Sequence, residues 1–146
     1  MFKGTFYNKD HKCDIIFDNC DYYNDNQGLS VYFWGDIYGI DRLGFSKSGK
    51  NAEIISKIYK DGGYSRFKEV DGIYTYILVH DLKLYIVRDH HGANSQVYYN
   101  KSYFASSLSL LTETPDFNTE PDKLKLSSFL SNGYISTPDT AFRNVK

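Results

Sequence analysis

At 146 residues and 16.9 kDa the chain has the length of one domain, and its 41% hydrophobic and 17% aromatic residues supply enough apolar side chain for a core, which excludes a disordered chain. Seventeen Lys and Arg against eighteen Asp and Glu leave a net charge of −1, so no positive field recruits nucleic acid or an anionic membrane surface. No apolar run approaches the roughly 20 residues of a membrane span, and the N-terminus lacks a basic region followed by an apolar stretch, so the reading is cytoplasmic.

Residues 2–7 alternate loosely and pass through a charged turn at 8–12 into Ile15-Ile16-Phe17, the pattern of a first hairpin. Cys13 and Cys20 are too few for a disulfide framework and lack a second Cys/His pair at zinc spacing; they read as free thiols. Residues 18–28, rich in Asp and Asn and closed by Gly28, read as turn and loop before a strand at 29–34. At 50–62 the period changes to that of a helix, with Ala52, Ile55, Ile58 and Tyr59 on one face and an i,i+4 pair between Glu53 and Lys57, stopped by Asp61-Gly62-Gly63.

Strands at 73–79 and 82–87 about the polar His80-Asp81 corner form an antiparallel hairpin. Ile73, Thr75, Ile77 and Val79 take one side and Tyr74, Tyr76 and Leu78 the other; neither face is plainly polar, which predicts a sheet covered on both sides. Short strands at 97–99 and 103–105 flank Asn100-Lys101. Pro121 then opens a helix whose apolar stripe is Leu126, Phe129 and Leu130 and whose stop is Asn132-Gly133. The class is α+β with layered sheets, without internal repeat, linker or interior domain boundary.

Val87-Arg88-Asp89-His90-His91-Gly92-Ala93-Asn94-Ser95-Gln96-Val97-Tyr98-Tyr99 is similar to R-D-x-x-G-x-x-P-L-Y-Y, and Phe104-Ala105-Ser106-Ser107-Leu108-Ser109-Leu110-Leu111 to F-A-S-E-x-K-A-L. Asp71-Gly72-Ile73-Tyr74-Thr75-Tyr76 resembles the G-x-F-A-F strand, Gly35-Asp36-Ile37-Tyr38 the core of N-G-E-I-Y-N, and residues 49–54 G-S-D-x-E-V. Gly133-Tyr134-Ile135 with Pro138, Thr140 and Phe142 resembles G-Y-I-P-x-P-x-T-x-F. Standing in one order along roughly residues 30 to 146, these motifs together resemble those of the N-terminal class II glutamine amidotransferase domain of the asparagine synthetase family.

The resemblance implies an N-terminal-nucleophile hydrolase-like fold, a four-layer αββα sandwich of two antiparallel sheets, shortened here. It also implies a single domain over 1–146 and a chemistry in which a Cys at position 2, freed by removal of Met1, attacks the glutamine amide and releases ammonia to an ATP-using domain. Three positions depart from that chemistry. The nucleophile position is Phe2, whose bulk is also expected to retain Met1; the oxyanion-hole Asn is Trp34, leaving only the backbone N–H of Gly35; and the ammonium-pairing Asp is Asn51. The H-R-G-P-D segment is missing, and Arg42 and Arg66 lie elsewhere in the alignment.

The expectation is therefore a catalytically silent domain, with Gly35, Arg88 and Asp89 as retained binding positions. Arg88 and Asp89 have a docking reading, and Asp89 alternatively bonds backbone N–H groups within a turn. His90 and His91, adjacent on an extended chain, point to opposite faces and are not expected to share a metal ion. The aromatic series Tyr22-Tyr23, Tyr32-Phe33-Trp34 and Tyr98-Tyr99 reads mostly as core rather than a sugar platform.

The domain itself is expected to need no cofactor, whereas a C-terminal ATP-pyrophosphatase synthetase domain beyond Lys146 would use ATP and Mg²⁺. The parent would then be an amide ligase resembling β-lactam synthetases or lasso-peptide ligases, with this role structural. Two other readings remain: a stand-alone binding module for a protein or small ligand, and an active glutaminase with an unrecognised nucleophile, for which Cys13 and Cys20 are the residues to test first.

Overall fold

The alternation at residues 30–38 and the two-sided apolar run at 71–80 pair as the longest strands of the protein. In the computed structural model, which describes residues 1–6, 13–115 and 117–146, they are β4 (Ser30–Tyr38) and β5 (Asp71–His80), antiparallel from Ser30↔Val79 to Tyr38↔Asp71. The chain divides into two compact units, Asn19–Gln96 and Met1–Asp18 with Val97–Lys146. Each carries one antiparallel four-stranded sheet, so the protein is α+β, with the two sheets and the helices that the resemblance implies.

In the unit Asn19–Gln96 the sheet runs β3-β4-β5-β6, with β3 at Asp21–Asn24 and β6 at Lys83–Arg88. Val31, Phe33 and Ile37 of β4 and Tyr74, Tyr76 and Leu78 of β5 form a core with Ala52, Ile54, Ile55 and Ile58 of α1 (Asn51–Gly62). Each such Ile, removed from water, contributes about 1.5–3 kcal/mol of transfer free energy. Thr75 and Ile77, on the other face of β5, are fully buried too, so this stretch of the sheet is covered on both faces as its sequence requires. The Glu53–Lys57 pair closes at 2.8 Å, and Gly63, at φ 69°, caps the helix. A short 3₁₀ helix at Gly63–Glu69 follows and adds Phe67 to the core.

Residues 18–28 are not loop throughout. Tyr22 and Tyr23 pair with Tyr32 and Val31 because two strong β-formers outweigh the surrounding Asp and Asn. Turn chemistry begins at Asn24, whose Oδ1 accepts from the N–H of Asn26, and continues at Asp25, whose carboxylate accepts from the N–H of Gln27 and Leu29 and pairs with Lys60 of α1 at 2.9 Å. The Lys60 hydrogen bond is the largest cause of a pKa lowered to about 2.

The β5–β6 hairpin turns through Asp81 at φ 47° and Leu82 at φ 61°, between the paired His80 and Lys83. Two left-handed residues suit the twist of a two-residue hairpin, but the second position ordinarily belongs to glycine. Leu82 there is 59% exposed, so its side chain gains little packing in return. Leu82→Gly is expected to raise stability by about 1 kcal/mol, read as a higher urea midpoint at unchanged slope; a lower midpoint would show that Leu82 makes a contact worth more than its strain.

In the other unit the sheet order is β2-β1-β8-β7, with β1 at Phe2–Thr5, β2 at Ile15–Phe17, β7 at Tyr98–Tyr99 and β8 at Tyr103–Ala105. The first hairpin thus pairs as its alternation predicts, from Phe2↔Phe17 to Gly4↔Ile15; its turn at 8–12 lies outside the described residues. Ala105, Leu111 and Val145 are buried, with Phe117 and Phe142 packed against them.

Leu111 belongs to a helix too short to show a periodic stripe in sequence, α2 (Leu108–Thr112), whose N-cap Ser107 accepts from the N–H of Leu110. The last helix, α3, spans Lys123–Asn132 and starts later than Pro121 suggests. Asp122 is its N-cap, accepting from Leu124 and Lys125, with Pro121 bridged to Phe142 outside the helix. No residue of α3 is buried, so the stripe Leu126, Phe129 and Leu130 does not enter the core. Among the described residues no helix is long and apolar enough to cross a membrane.

Candidate functional site

Four of the positions singled out by sequence, Trp34, Gly35, Asn51 and Asp89, come together in the unit Asn19–Gln96, joined by hydrogen bonds. Gly35 sits in β4 at φ 104°, where a Cβ would lie 2.1 Å from the carbonyl oxygen of Ile73. Only glycine lets β4 and β5 approach there. Asn51, the first residue of α1, donates from Nδ2 to the carbonyl of Gly35 at 3.1 Å. Its own backbone N–H donates to the Asp21 carboxylate at 3.1 Å. Asp21 thereby stands in for the cap that Lys50 does not supply.

One residue upstream, the carbonyl of Trp34 accepts from Asn94 Nδ2 at 3.0 Å. The backbone about positions 34 and 35 is thus held by two side-chain amides, from α1 and from the loop after β6. Asn94 lies within the quoted motif and Asp21 within residues 18–28, but nothing in either stretch signals a partner 60 or 30 positions away.

Asp89 is 5% exposed and organises the loop that supplies Asn94. Its Oδ1 accepts from His91 and Ala93, and its Oδ2 from Ala93 and Asn94, at 2.9–3.3 Å. Burial pushes its carboxyl up, but the N–H groups of Ala93, Asn94 and His91 and the backbone at Tyr74 outweigh that, and its pKa lies below the ordinary value. Arg88 braces the same loop, donating from Nη1 to Gln96 Oε1 at 2.8 Å. Arg88 and Asp89 therefore both hold this loop, Asp89 by accepting from backbone N–H groups within the turn. Ser95 Oγ donates to Thr75 Oγ1 at 2.9 Å and ties the loop back to β5.

Asp89→Ala strips the loop of its acceptor and leaves three backbone donors without their partner. The expected loss is about 2–3 kcal/mol at neutral pH, measured by chemical denaturation. A carboxylate whose pKa falls on folding stabilises above its unfolded pKa of about 3.9, and that contribution is lost as pH drops through the lower folded value. The gap between wild type and variant should therefore narrow below about pH 4; a gap that persists unchanged at lower pH would mean that the charge is not the source.

Phe2 belongs to the other unit. It is 2% exposed, with its ring centroid 6.4 Å from that of Phe104. Its N–H donates to Ser106 Oγ at 2.9 Å, and its carbonyl accepts from the Ser106 N–H at 2.9 Å. Phe2 opens β1 with its phenyl ring buried, and a phenyl ring has no atom able to attack a carbonyl.

The alternative nucleophile fares no better at Cys13. Its Sγ donates to the Thr5 carbonyl, and burial, followed by the Asp14 charge, pushes the thiol up to about 11. A nucleophilic cysteine needs the opposite shift. His90 and His91 are both exposed, and among the described residues no group of three or more His, Cys, Asp or Glu is placed to hold a metal ion. Arg66 is engaged with Asp61 at 2.7 Å on the surface.

The family model of the glutamine amidotransferase domain matches residues 23–146. The chain belongs to that family. The match begins at Tyr23, so the β1 strand and position 2 stand outside it. No curated protein matches the chain.

Proposed function

We propose that this glutamine amidotransferase domain is catalytically silent and is the structural, docking part of an asparagine synthetase-related, ATP-dependent amide ligase. The observation that carries the silence is the buried phenyl ring of Phe2 at the position where the resemblance puts the nucleophile. The hydrogen bonds about Gly35 support it. Asn51 carries no charge to pair with an ammonium, and its amide already donates to Gly35. Three functions depend on these positions, and each lacks its group: attack, oxyanion stabilisation by a side-chain amide, and capture of the substrate ammonium.

On this reading the amine comes from the ligase substrate rather than from glutamine, and the partner is a C-terminal ATP-pyrophosphatase synthetase domain. ATP and Mg²⁺ belong to that domain, and no residue of this chain is assigned to them. Two tests separate the parts of the proposal. A glutamine-mimicking electrophile is expected to leave the intact mass of the chain unchanged, and an adduct on Cys13 or Cys20 would contradict silence. Reading the transcript beyond the Lys146 codon is expected to reveal a phosphate-cradling S-G-G-x-D-S loop; a stop codon there would overturn the ligase and favour a stand-alone binding module.

A further inference from the structure

We propose that the Asp71–Gly72 bond at the start of β5 is a self-modification site, where the Gly72 amide nitrogen closes on the Asp71 side chain and converts it to isoaspartate. Three bonds of the chain join an Asp or Asn to a following glycine: Asp61–Gly62, Asp71–Gly72 and Asn132–Gly133. A following glycine leaves the attacking nitrogen without a Cβ beside it, so sequence alone nominates all three. The structure separates them.

Asp71 is exposed, and its Oδ1 accepts from the N–H of Gly72 at 2.9 Å. That contact brings the nitrogen beside Cγ, the carbon one bond from Oδ1, which is the approach that closing a five-membered ring requires. Asp71 stands at the end of the β4–β5 ladder, opposite Tyr38. In Asp61–Gly62 the carboxylate instead accepts from Arg66 Nη1 at 2.7 Å, and Gly62 is the last residue of α1, where an N–H runs along the helix axis. In Asn132–Gly133 the Gly133 N–H donates to the Phe129 carbonyl at 2.7 Å, and the Asn132 amide turns back to Ser128 Oγ at 3.3 Å. In both of these bonds the side chain has a partner other than the following N–H.

The reaction needs only water. The Gly72 nitrogen bonds to Asp71 Cγ, one carboxyl oxygen leaves as water with its own proton and that of the N–H, and a succinimide ring results. Water then opens the ring. Addition at Cγ restores Asp, whereas addition at the backbone carbonyl leaves the chain running through Cβ and Cγ. That product carries an additional main-chain atom, which takes position 71 out of register with Tyr38. The inference does not depend on whether the domain hydrolyses glutamine.

Ageing the folded chain at neutral pH and physiological temperature, followed by peptide mapping with electron-transfer fragmentation, reads the conversion at each bond. Isoaspartate is expected to accumulate at Asp71 at least about tenfold faster than at Asp61. In urea, where only the local sequence acts, the two bonds should convert at similar rates. Asp71→Asn makes the comparison with Asn132 like for like, and position 71 should again lead by at least about tenfold; circular dichroism of this exposed, nearly isosteric variant verifies folding. No isoaspartate at Asp71 in the aged chain would overturn the site. Equal conversion at Asp61 and Asp71 in the folded chain, a lead that persists in urea, or Asn132 reacting first in Asp71→Asn would overturn the geometry that supports it.

Discussion

Gly35→Ala is expected to cost more than about 3 kcal/mol, enough to leave a domain of ordinary stability partly unfolded at physiological temperature. Two effects combine. The backbone sits at φ 104°, and the new Cβ would meet the Ile73 carbonyl oxygen at 2.1 Å, a backbone atom that moves only if the β4–β5 ladder shifts. Gly28 separates the two, because it has a similar φ of 97° with nothing within 4 Å of its Cβ position. Gly28→Ala should therefore show backbone strain alone, about 1 kcal/mol. Urea midpoints for both variants check this, and equal losses would mean that the ladder absorbs the clash. The steric need for glycine at 35 is complete without an oxyanion, so its retention in the sequence is no evidence for one.

Phe2→Ala is the second large effect. Deleting a fully buried phenyl ring beside Phe104 removes its transfer energy and leaves a cavity, a loss of about 3–5 kcal/mol. Phe2→Leu, closer in volume, should lose less than about 1.5 kcal/mol. Replacement by the cysteine that the resemblance calls for leaves nearly the same cavity, so a restored thiol comes with a destabilised strand. Denaturation of the three variants against wild type tests the claim. A loss below about 1 kcal/mol for Phe2→Ala would show the ring dispensable to the core and contradict its packing role there.

The strands and α1 were legible because their signals are periodic and local. Two-sided burial of β5 follows from apolar residues at both parities, and the Glu53–Lys57 pair from a spacing of four. What escaped depends on distance in sequence. Tyr22 and Tyr23 become a strand only when β4 is beside them, against a local composition that says loop. The α3 stripe has helical period, but periodicity cannot tell how far a face will be covered, and here Leu126 is half-buried while Phe129 and Leu130 stay exposed. The site divides in the same way. The identities of Phe2, Trp34 and Asn51, where they differ from the motifs they resemble, are read from the sequence itself, whereas the use of Asn51 and Asn94 as clamps on the Trp34–Gly35 carbonyls required the fold. Asp89 was legible at both levels, since an Asp followed by a glycine-containing turn is the usual acceptor for the turn's own N–H groups.

Ammonia release from glutamine tests the central claim most directly. The purified chain, incubated with excess glutamine and followed by a coupled assay for ammonia and glutamate, is predicted to give no more than the uncatalysed hydrolysis. Sustained release, many equivalents per chain and co-eluting with it, would contradict the account and require a nucleophile other than residue 2.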